Sequence, residues 1–247
     1  MHAIPGRGPV AECLRSGRSL LEVVVEANDN PDLVAVAEAA HDAGVRVRRE
    51  DRGALDRLSQ GVLHQGVVAI AERFTYMALA DIPDTDLVVV LDGVTDPQNL
   101  GAIARSAEAA GAGAIILRER RSAHVTPAAE KAAAGAFSWI PVVQVTNIVR
   151  ALEELADRSF WSVGLAGEAA SPLWECALLD APVALVIGAE GSGLSRLVRD
   201  RVDALVHIPM GGRMTSLNAS AASAVALFEV RRRRDSGGRG GGVRPAH

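Results

Sequence analysis

From Asp86 onward, short uninterrupted apolar runs alternate with segments whose apolar residues recur at helical spacing, and this limits the possible folds more than any other feature of the 247-residue chain. Runs such as Leu87-Val88-Val89-Val90-Leu91 and Val183-Ala184-Leu185-Val186-Ile187 have no polar face, so each strand must be covered on both sides. A parallel sheet with helices on both faces meets that demand. Strands are expected near 87–91, 114–117, 139–143, 160–164, 183–187 and 204–208, with helices near 100–110, 127–134, 148–157, 194–198 and 218–231. The expected fold class is α/β.

Residues 1–72 read as a smaller α/β unit. A strand at 21–25 is followed by a helix that Asn30-Pro31 opens and Gly44 ends, with Leu33, Val36, Ala37 and Ala40 on one face. A strand at 45–47, a short helix at 51–60 and a strand at 67–71 complete it. Residues 73–85 have weak periodicity and contain Pro83, which suits a linker, and 86–234 form the main unit. Arg231 to Arg234 read either as a solvated helix end or as a contribution to RNA affinity, and the glycine-rich 235–247 as a disordered tail.

Apolar runs stay far below the roughly 20 residues that cross a bilayer, so no membrane partner is expected. Met1 to Pro9 lack the pattern of a secretory signal, which makes a cytoplasmic location the expectation. Cys13 and Cys176 stand far apart without a second thiol nearby, against both a disulfide framework and a metal site. Net charge is −4, which by itself disfavours a nucleic-acid partner. Yet all 26 basic residues except Lys131 are arginines, and arginine presents a planar fork of donors to phosphate.

Three segments carry more than structure. In Asp92-Gly93-Val94-Thr95-Asp96-Pro97-Gln98-Asn99 a strand ends in a polar turn and delivers a helix bearing Asn99 and, six residues later, Arg105. Strand ends of this kind face the ligand crevice of an open parallel sheet. Gly188-Ala189-Glu190-Gly191-Ser192-Gly193 lets backbone amides approach a ligand closely. It lacks the Gly-Lys-Ser/Thr ending of a nucleotide-triphosphate loop, and it follows a late strand rather than the first strand of a dinucleotide unit. In Ile208-Pro209-Met210-Gly211-Gly212-Arg213-Met214-Thr215-Ser216-Leu217-Asn218, a strand passes through a glycine pair to an alanine-rich helix that Ser216 or Asn218 could cap.

Asn-Leu-Gly-x-x-x-Arg, then Gly-Ala-Glu-Gly-x-Gly, then Ile-Pro-Met with Ser-Leu-Asn, in this order over 86–231, resembles the SpoU-type RNA 2′-O-ribose methyltransferases, which are knotted SPOUT enzymes. The segment from Gly6-Arg7 to His64-Gln65-Gly66-Val67 is similar to that family's L30e-like RNA-binding unit. The resemblance implies a deep trefoil knot, S-adenosylmethionine as cofactor, a homodimer, and a ribose of RNA as substrate. A guanosine of 23S rRNA comes first, with a transfer RNA or an antibiotic-resistance site in 23S rRNA as alternatives. It places Gly188, Ile208, Met210 and Leu217 against the cofactor and Asn99, Arg105, Glu190, Ser216 and Asn218 around the reacting ribose, with Glu190 in reach of Arg105. Arg7, His64 and Gln65 would meet RNA. Two rival readings are a non-catalytic RNA-binding scaffold and a nicotinamide-dependent oxidoreductase. The five polar positions count against the first and the misplaced glycine loop against the second.

Overall fold

The computed structural model describes residues 1–237. In chain order its elements are β1 (His2–Pro5), α1 (Arg7–Ser16), β2 (Leu20–Glu26), α2 (Pro31–Asp42), β3 (Arg46–Glu50), α3 (Arg52–Leu58) and β4 (Val67–Ala71). There follow β5 (Leu87–Asp92), α4 (Pro97–Ala109), β6 (Ala114–Arg118), α5 (Pro127–Ala133), β7 (Val142–Val145), α6 (Ile148–Asp157), β8 (Trp161–Leu165) and β9 (Ser171–Pro172). The last four are β10 (Val183–Gly188), α7 (Arg196–Arg199), β11 (Ala204–His207) and α8 (Ala219–Gly237).

The late strands form a seven-stranded sheet in the order β7-β6-β5-β10-β8-β11-β9, with every neighbouring pair parallel. The connection leaving β5 leads to β6 on one side and that leaving β10 leads to β11 on the other, so the two central strands define a switch point. Alternate residues of β5 enter different cores. Leu87, Val89 and Leu91 pack with α4, α5 and α8, while Val88 and Val90 pack with α6 and Val198. This division explains why the strand sequences show no polar face.

The early strands form a separate four-stranded sheet in the order β1-β4-β2-β3, parallel only between β2 and β3. Neither β1 nor α1 was legible in the sequence. Gly6-Arg7-Gly8-Pro9 looks like a loop, yet Pro9 sits in the first turn of α1, where its missing N–H costs nothing. Residues 73–85, expected as a linker, are packed. Phe74 and Tyr76 lie against the main core, Met77 donates its N–H to Val142 O at 2.9 Å, and Ile82 is buried.

The two sheets meet at α5. Glu130 is fully buried, and its Oε1 accepts from His2 Nε2 at 2.7 Å and from Arg18 Nη2 at 2.9 Å. Phe74 lies beneath the Arg18 guanidinium, 5.5 Å from ring centroid to Cζ. Removing one partner from such a buried pair strands the other, so the seam is fixed by charge as well as by packing.

Of the arginine run, Arg231 and Arg232 stay exposed, as a solvated helix end requires, whereas Arg233 and Arg234 turn back onto the protein. Residues 231–237 continue α8, so its helix extends into the segment expected to be a disordered tail; 238–247 lie outside the described residues. Arg234 donates to Asp86 Oδ1 at 2.7 Å and to the Asp86 carbonyl at 2.8 Å, and Arg233 reaches Asp180 and the Trp174 carbonyl. Glu229, on the preceding turn, accepts from Arg232 at 2.7 and 2.8 Å and from Arg233 at 2.9 Å. The bonds from Arg232 and Arg233 outweigh the opposing effect of burial and hold the Glu229 carboxyl at about 2, against its usual 4.5. A carboxyl depressed on folding contributes stability above its unfolded pKa and loses that contribution as pH falls through the folded one. Glu229→Gln is therefore expected to lower Tm by ~2–4 °C at pH 7, equivalent to about 1 kcal/mol. In thermal melts over a pH series, the difference from the unsubstituted chain should shrink below pH 4.5 and vanish near pH 2.

Candidate active site

β5 and β10 lie side by side with Asp92 opposite Gly188, so the turns leaving both strands emerge together at the switch point. Asp92 locks them. Its side chain is only 2% exposed, and it accepts from Ser195 N at 2.6 Å and from Arg118 Nη2 at 3.1 Å. A nearly buried carboxylate at the end of an otherwise apolar strand needs such partners. Its place after Leu91 was the available sequence signal, although the sequence reading gave Asp92 no role of its own.

After Gly188 the chain makes a tight loop. Ala189 and Gly193 exchange both backbone hydrogen bonds, at 3.0 and 2.9 Å, and leave Glu190, Gly191 and Ser192 at the tip. A Cβ on Gly188 would run into the backbone of Gly193 and Leu194, which is why the position tolerates no side chain.

Asn218 is the junction of the site. Its Oδ1 caps α8 by accepting from Ser220 N at 2.8 Å, while its Nδ2 donates to Asn99 Oδ1 at 3.0 Å and to Glu190. Glu190 Oε1 also faces Ala219 N at 3.4 Å. A carboxylate at the first amides of a long helix is placed favourably for the helix dipole. Asn218 caps the helix, as its place in the sequence suggested, and also joins Asn99 to Glu190.

Beside this junction is a cavity of about 800 Å³, lined by Gly188, Glu190, Ile208, Met210, Ser216, Leu217 and Asn218 among others. Among the described residues, the stretch from Ile208 to Leu217 makes no intrachain backbone hydrogen bond, and His207 Nδ1 in the wall is buried without a partner. Free backbone donors and acceptors beside the apolar Leu165, Ile187 and Leu217 suit a ligand that has both a flat apolar portion and polar edges.

Arg105 is placed differently from expectation. It is exposed, makes no ion pair among the described residues, and is not part of the cavity lining. Six residues past Asn99, it stands ~9 Å farther along α4. The expected Glu190–Arg105 pair is not formed, because Asn218 and the start of α8 occupy the Glu190 carboxylate. Ser216 lines the cavity and makes no side-chain hydrogen bond among the described residues.

In the early unit, Arg7 pairs with Asp32, and Gln65 Oε1 accepts from Lys131 Nζ at 2.7 Å. His64, expected to read a base edge, is enclosed instead. Its Nδ1 accepts from Gly66 N at 3.0 Å, which leaves Nε2 to donate to Asp56 at 3.1 Å, so neither nitrogen is free. Among the described residues no cluster of three or more His, Cys, Asp or Glu could hold a metal ion, and no helix is long and apolar enough to cross a membrane.

Residues 86–228 match the SpoU rRNA methylase family, and residues 3–77 match the RNA 2′-O ribose methyltransferase substrate-binding family. The chain belongs to the SpoU rRNA methylase family. Among its relatives is the 23S rRNA (guanosine-2′-O-)-methyltransferase RlmB of Photorhabdus laumondii, 41% identical over 229 residues, covering 90% of this chain and 93% of that protein. The Yersinia pestis protein of the same name is 42% identical over 227 residues, covering 89% and 92%. The SpoU methyltransferase AviRb of Streptomyces viridochromogenes, solved in complex with the cofactor AdoMet, superposes with a TM-score of 0.81 at 26% identity, over 95% of this chain and 90% of that one. Asn99, Glu190 and Asn218 of the three sequence motifs thus fall on the first turn of α4, the loop after β10 and the start of α8, which this fold brings together.

If the junction is a single unit, its members are coupled. Asn218→Ala removes a helix cap, which costs about 0.5–2 kcal/mol. Asn99→Ala made in that background should cost less than Asn99→Ala alone, with a coupling energy of at least ~0.5 kcal/mol in a urea-denaturation double-mutant cycle.

Proposed function

We propose that the chain transfers a methyl group from S-adenosylmethionine to the 2′-hydroxyl of a ribose in RNA, and that this ribose belongs to a guanosine of 23S rRNA. The observation that carries the reading is the Asn99–Asn218–Glu190 junction at the mouth of the switch-point cavity. Relatives named for this reaction at about 40% identity over most of the chain support the substrate.

The cavity fits the cofactor by its own features. Its volume is within the range of small-ligand sites, its apolar residues can cover an adenine, and the unengaged backbone of 208–217 can meet the polar edges. Gly188, Ile208, Met210 and Leu217 would hold it. S-adenosylmethionine supplies an electrophilic methyl on a sulfonium.

The protein's task is then to align a weak nucleophile and help remove its proton. Alignment is worth up to ~7–11 kcal/mol and general-base assistance ~10²–10⁴-fold. Asn99, Glu190, Ser216 and Asn218 present amide, carboxylate and hydroxyl groups where the ribose would lie. Arginine stays protonated far above neutral pH, so Arg105 serves here as phosphate anchor and electrostatic stabiliser of the developing alkoxide rather than as base.

Arg105 is exposed, without an ion-pair partner among the described residues and outside the cavity lining of its own chain, which supports a C2 homodimer with the site near its interface. Exposed Met214, Leu217 and Phe228 support the same reading. We also propose a trefoil knot in the late unit; the close approach of the 208–218 segment to the turn after β8, with the Thr215 carbonyl 3.9 Å from where a Gly167 Cβ would lie, supports it. Separate sheets support a division into an L30e-like RNA-binding unit at 1–72 and a methyltransferase unit at 86–234. In the early unit, Arg7 and Gln65 would meet RNA. Ribosomal RNA as substrate supports a cytoplasmic location.

Arg105→Ala is expected to lower methyl transfer to rRNA by at least ~10²-fold while leaving S-adenosylmethionine affinity unchanged. Tritium transfer and isothermal titration read the two quantities, and near-normal transfer would remove Arg105 from the mechanism.

A further inference from the structure

The arginines of the late unit fall into two groups. Those of α6, α7 and α8 pair with carboxylates, as Arg201 does with Glu153. Arg118 holds Asp92, and Arg158 donates to the carbonyls of Leu79 and Ile82. Arg105, Arg120, Arg121 and Arg213 make no ion pair among the described residues, and all four are exposed. Arg105 and Arg213 belong to stretches already placed at the methyl-transfer pocket. Arg120 and Arg121 lie outside all three sequence motifs, in the loop between β6 and α5.

That loop rises beside the pocket. β6 is the neighbour of β5 on the side away from β10 and runs parallel to it, so the chain leaves both strands at the same edge of the sheet. Three contacts fix its course. Arg118 at its root donates to Asp92 at 3.1 Å, Ala123 N donates to Val94 O at 2.8 Å, and Val125 N donates to Tyr76 Oη at 3.1 Å. Val94 is in the turn that delivers Asn99, so the two arginines ride on the same support as the Asn218 junction.

The tip of the loop suits a charged partner better than it suits packing. Arg121 has φ +59°, a left-handed conformation that glycine adopts without steric cost. The other non-glycine residues with positive φ among those described, Gln60, Gln65, Ala134 and Ser159, are all uncharged. Strained positions persist where surrounding contacts over-determine them, and they gather at ligand clamps. Glu119, the adjacent carboxylate, is exposed and pairs with neither arginine. Two neighbouring guanidinium groups on a chain of net charge −4 therefore stand without a counter-charge among the described residues, each a planar fork that matches phosphate oxygens.

We infer that the loop between β6 and α5 is a phosphate clamp of the late unit, in which Arg120 and Arg121 grip the ribose–phosphate backbone of the RNA next to the nucleotide being methylated. The inference rests on the reading of the substrate as RNA, and it concerns a surface separate from the substrate-binding unit matched at residues 3–77. Phosphate contacts carry no sequence information, but they fix the register of a strand on the protein. Because Ala123 ties the loop to Val94, a strand held there stands in a fixed relation to Asn99 and to the ribose that the pocket receives.

The test is filter binding of the full chain to unmodified 23S rRNA over a series of KCl concentrations from about 50 to 200 mM. Arg120→Gln and Arg121→Gln are each expected to weaken binding about fivefold or more at ~0.1 M salt, and to make the fall of log K with log salt concentration shallower by about 0.7–0.9. The two changes should add in the double variant. Arg150→Gln, which removes a paired arginine of α6, should change neither quantity. Arg121→Gly separates a phosphate contact from a structural role. Glycine relieves the left-handed backbone, so Tm should hold or rise while rRNA binding weakens as it does in Arg121→Gln. Titration with S-adenosylmethionine checks that each variant keeps its pocket. Binding left unchanged by the double variant or by Arg121→Gly, a loss that Arg150→Gln reproduces, or no salt-dependent rRNA binding by the unsubstituted chain would each overturn the inference. Binding is measured without S-adenosylmethionine and methyl transfer is assayed separately, so a failed clamp and a failed methyltransferase reading give different results.

Discussion

The hydrogen bonds of Asn218 join three stretches of chain that stand far apart in sequence, and the site depends on them. Asn218 Oδ1 starts α8, and its Nδ2 ties the first turn of α4 through Asn99 to the loop after β10 through Glu190. Among the described residues, the backbone from Ile208 to Leu217 that precedes Asn218 makes no intrachain backbone hydrogen bond, so its course is set by its two anchored ends. One anchor is β11 in the sheet and the other is this junction. Without the second, the wall of the large cavity has nothing to hold it.

The sheet makes the junction possible. Strand order reverses between β5 and β10, which brings Asp92 and Gly188 opposite each other and sends both turns to the same edge. Asp92 adds a second tie, from β5 to Ser195 beyond the glycine loop. The turn after β5 and the loop after β10 are therefore fixed at their bases by a buried carboxylate and at their tips by Asn218 and Glu190. A rigid support of this kind suits a reaction that depends on alignment more than on a strong base.

Much of this architecture was legible in the sequence because buried parallel strands leave a clear pattern. The prediction for 148–157 matches α6 to the residue, since Asn147 caps a strongly amphipathic segment. The strand expected at 139–143 lies at Val142–Val145 instead. Trp139 and Ile140 are apolar but follow a 3-10 turn opened by Gly135, and an apolar run alone does not separate such a turn from a strand. α1 was hidden by its glycines and proline. In the site, Asn99, Glu190 and Asn218 were found through motif order, whereas the partners they chose were not. Glu190 bonds to the start of α8 rather than to Arg105, a choice that depends on tertiary placement. His64 had the residue type of an RNA contact but both of its nitrogens are used within its own turn and by Asp56.

The central claim is that this junction presents a ribose 2′-oxygen to a sulfonium methyl. The most direct measurement is incubation of the purified chain with methyl-labelled S-adenosylmethionine and unmodified 23S rRNA, followed by nuclease digestion and mass spectrometry of the nucleosides. Label is expected in 2′-O-methylguanosine at one position of the RNA. Label on a base, or an unlabelled RNA from a chain that binds both S-adenosylmethionine and the rRNA, would contradict it.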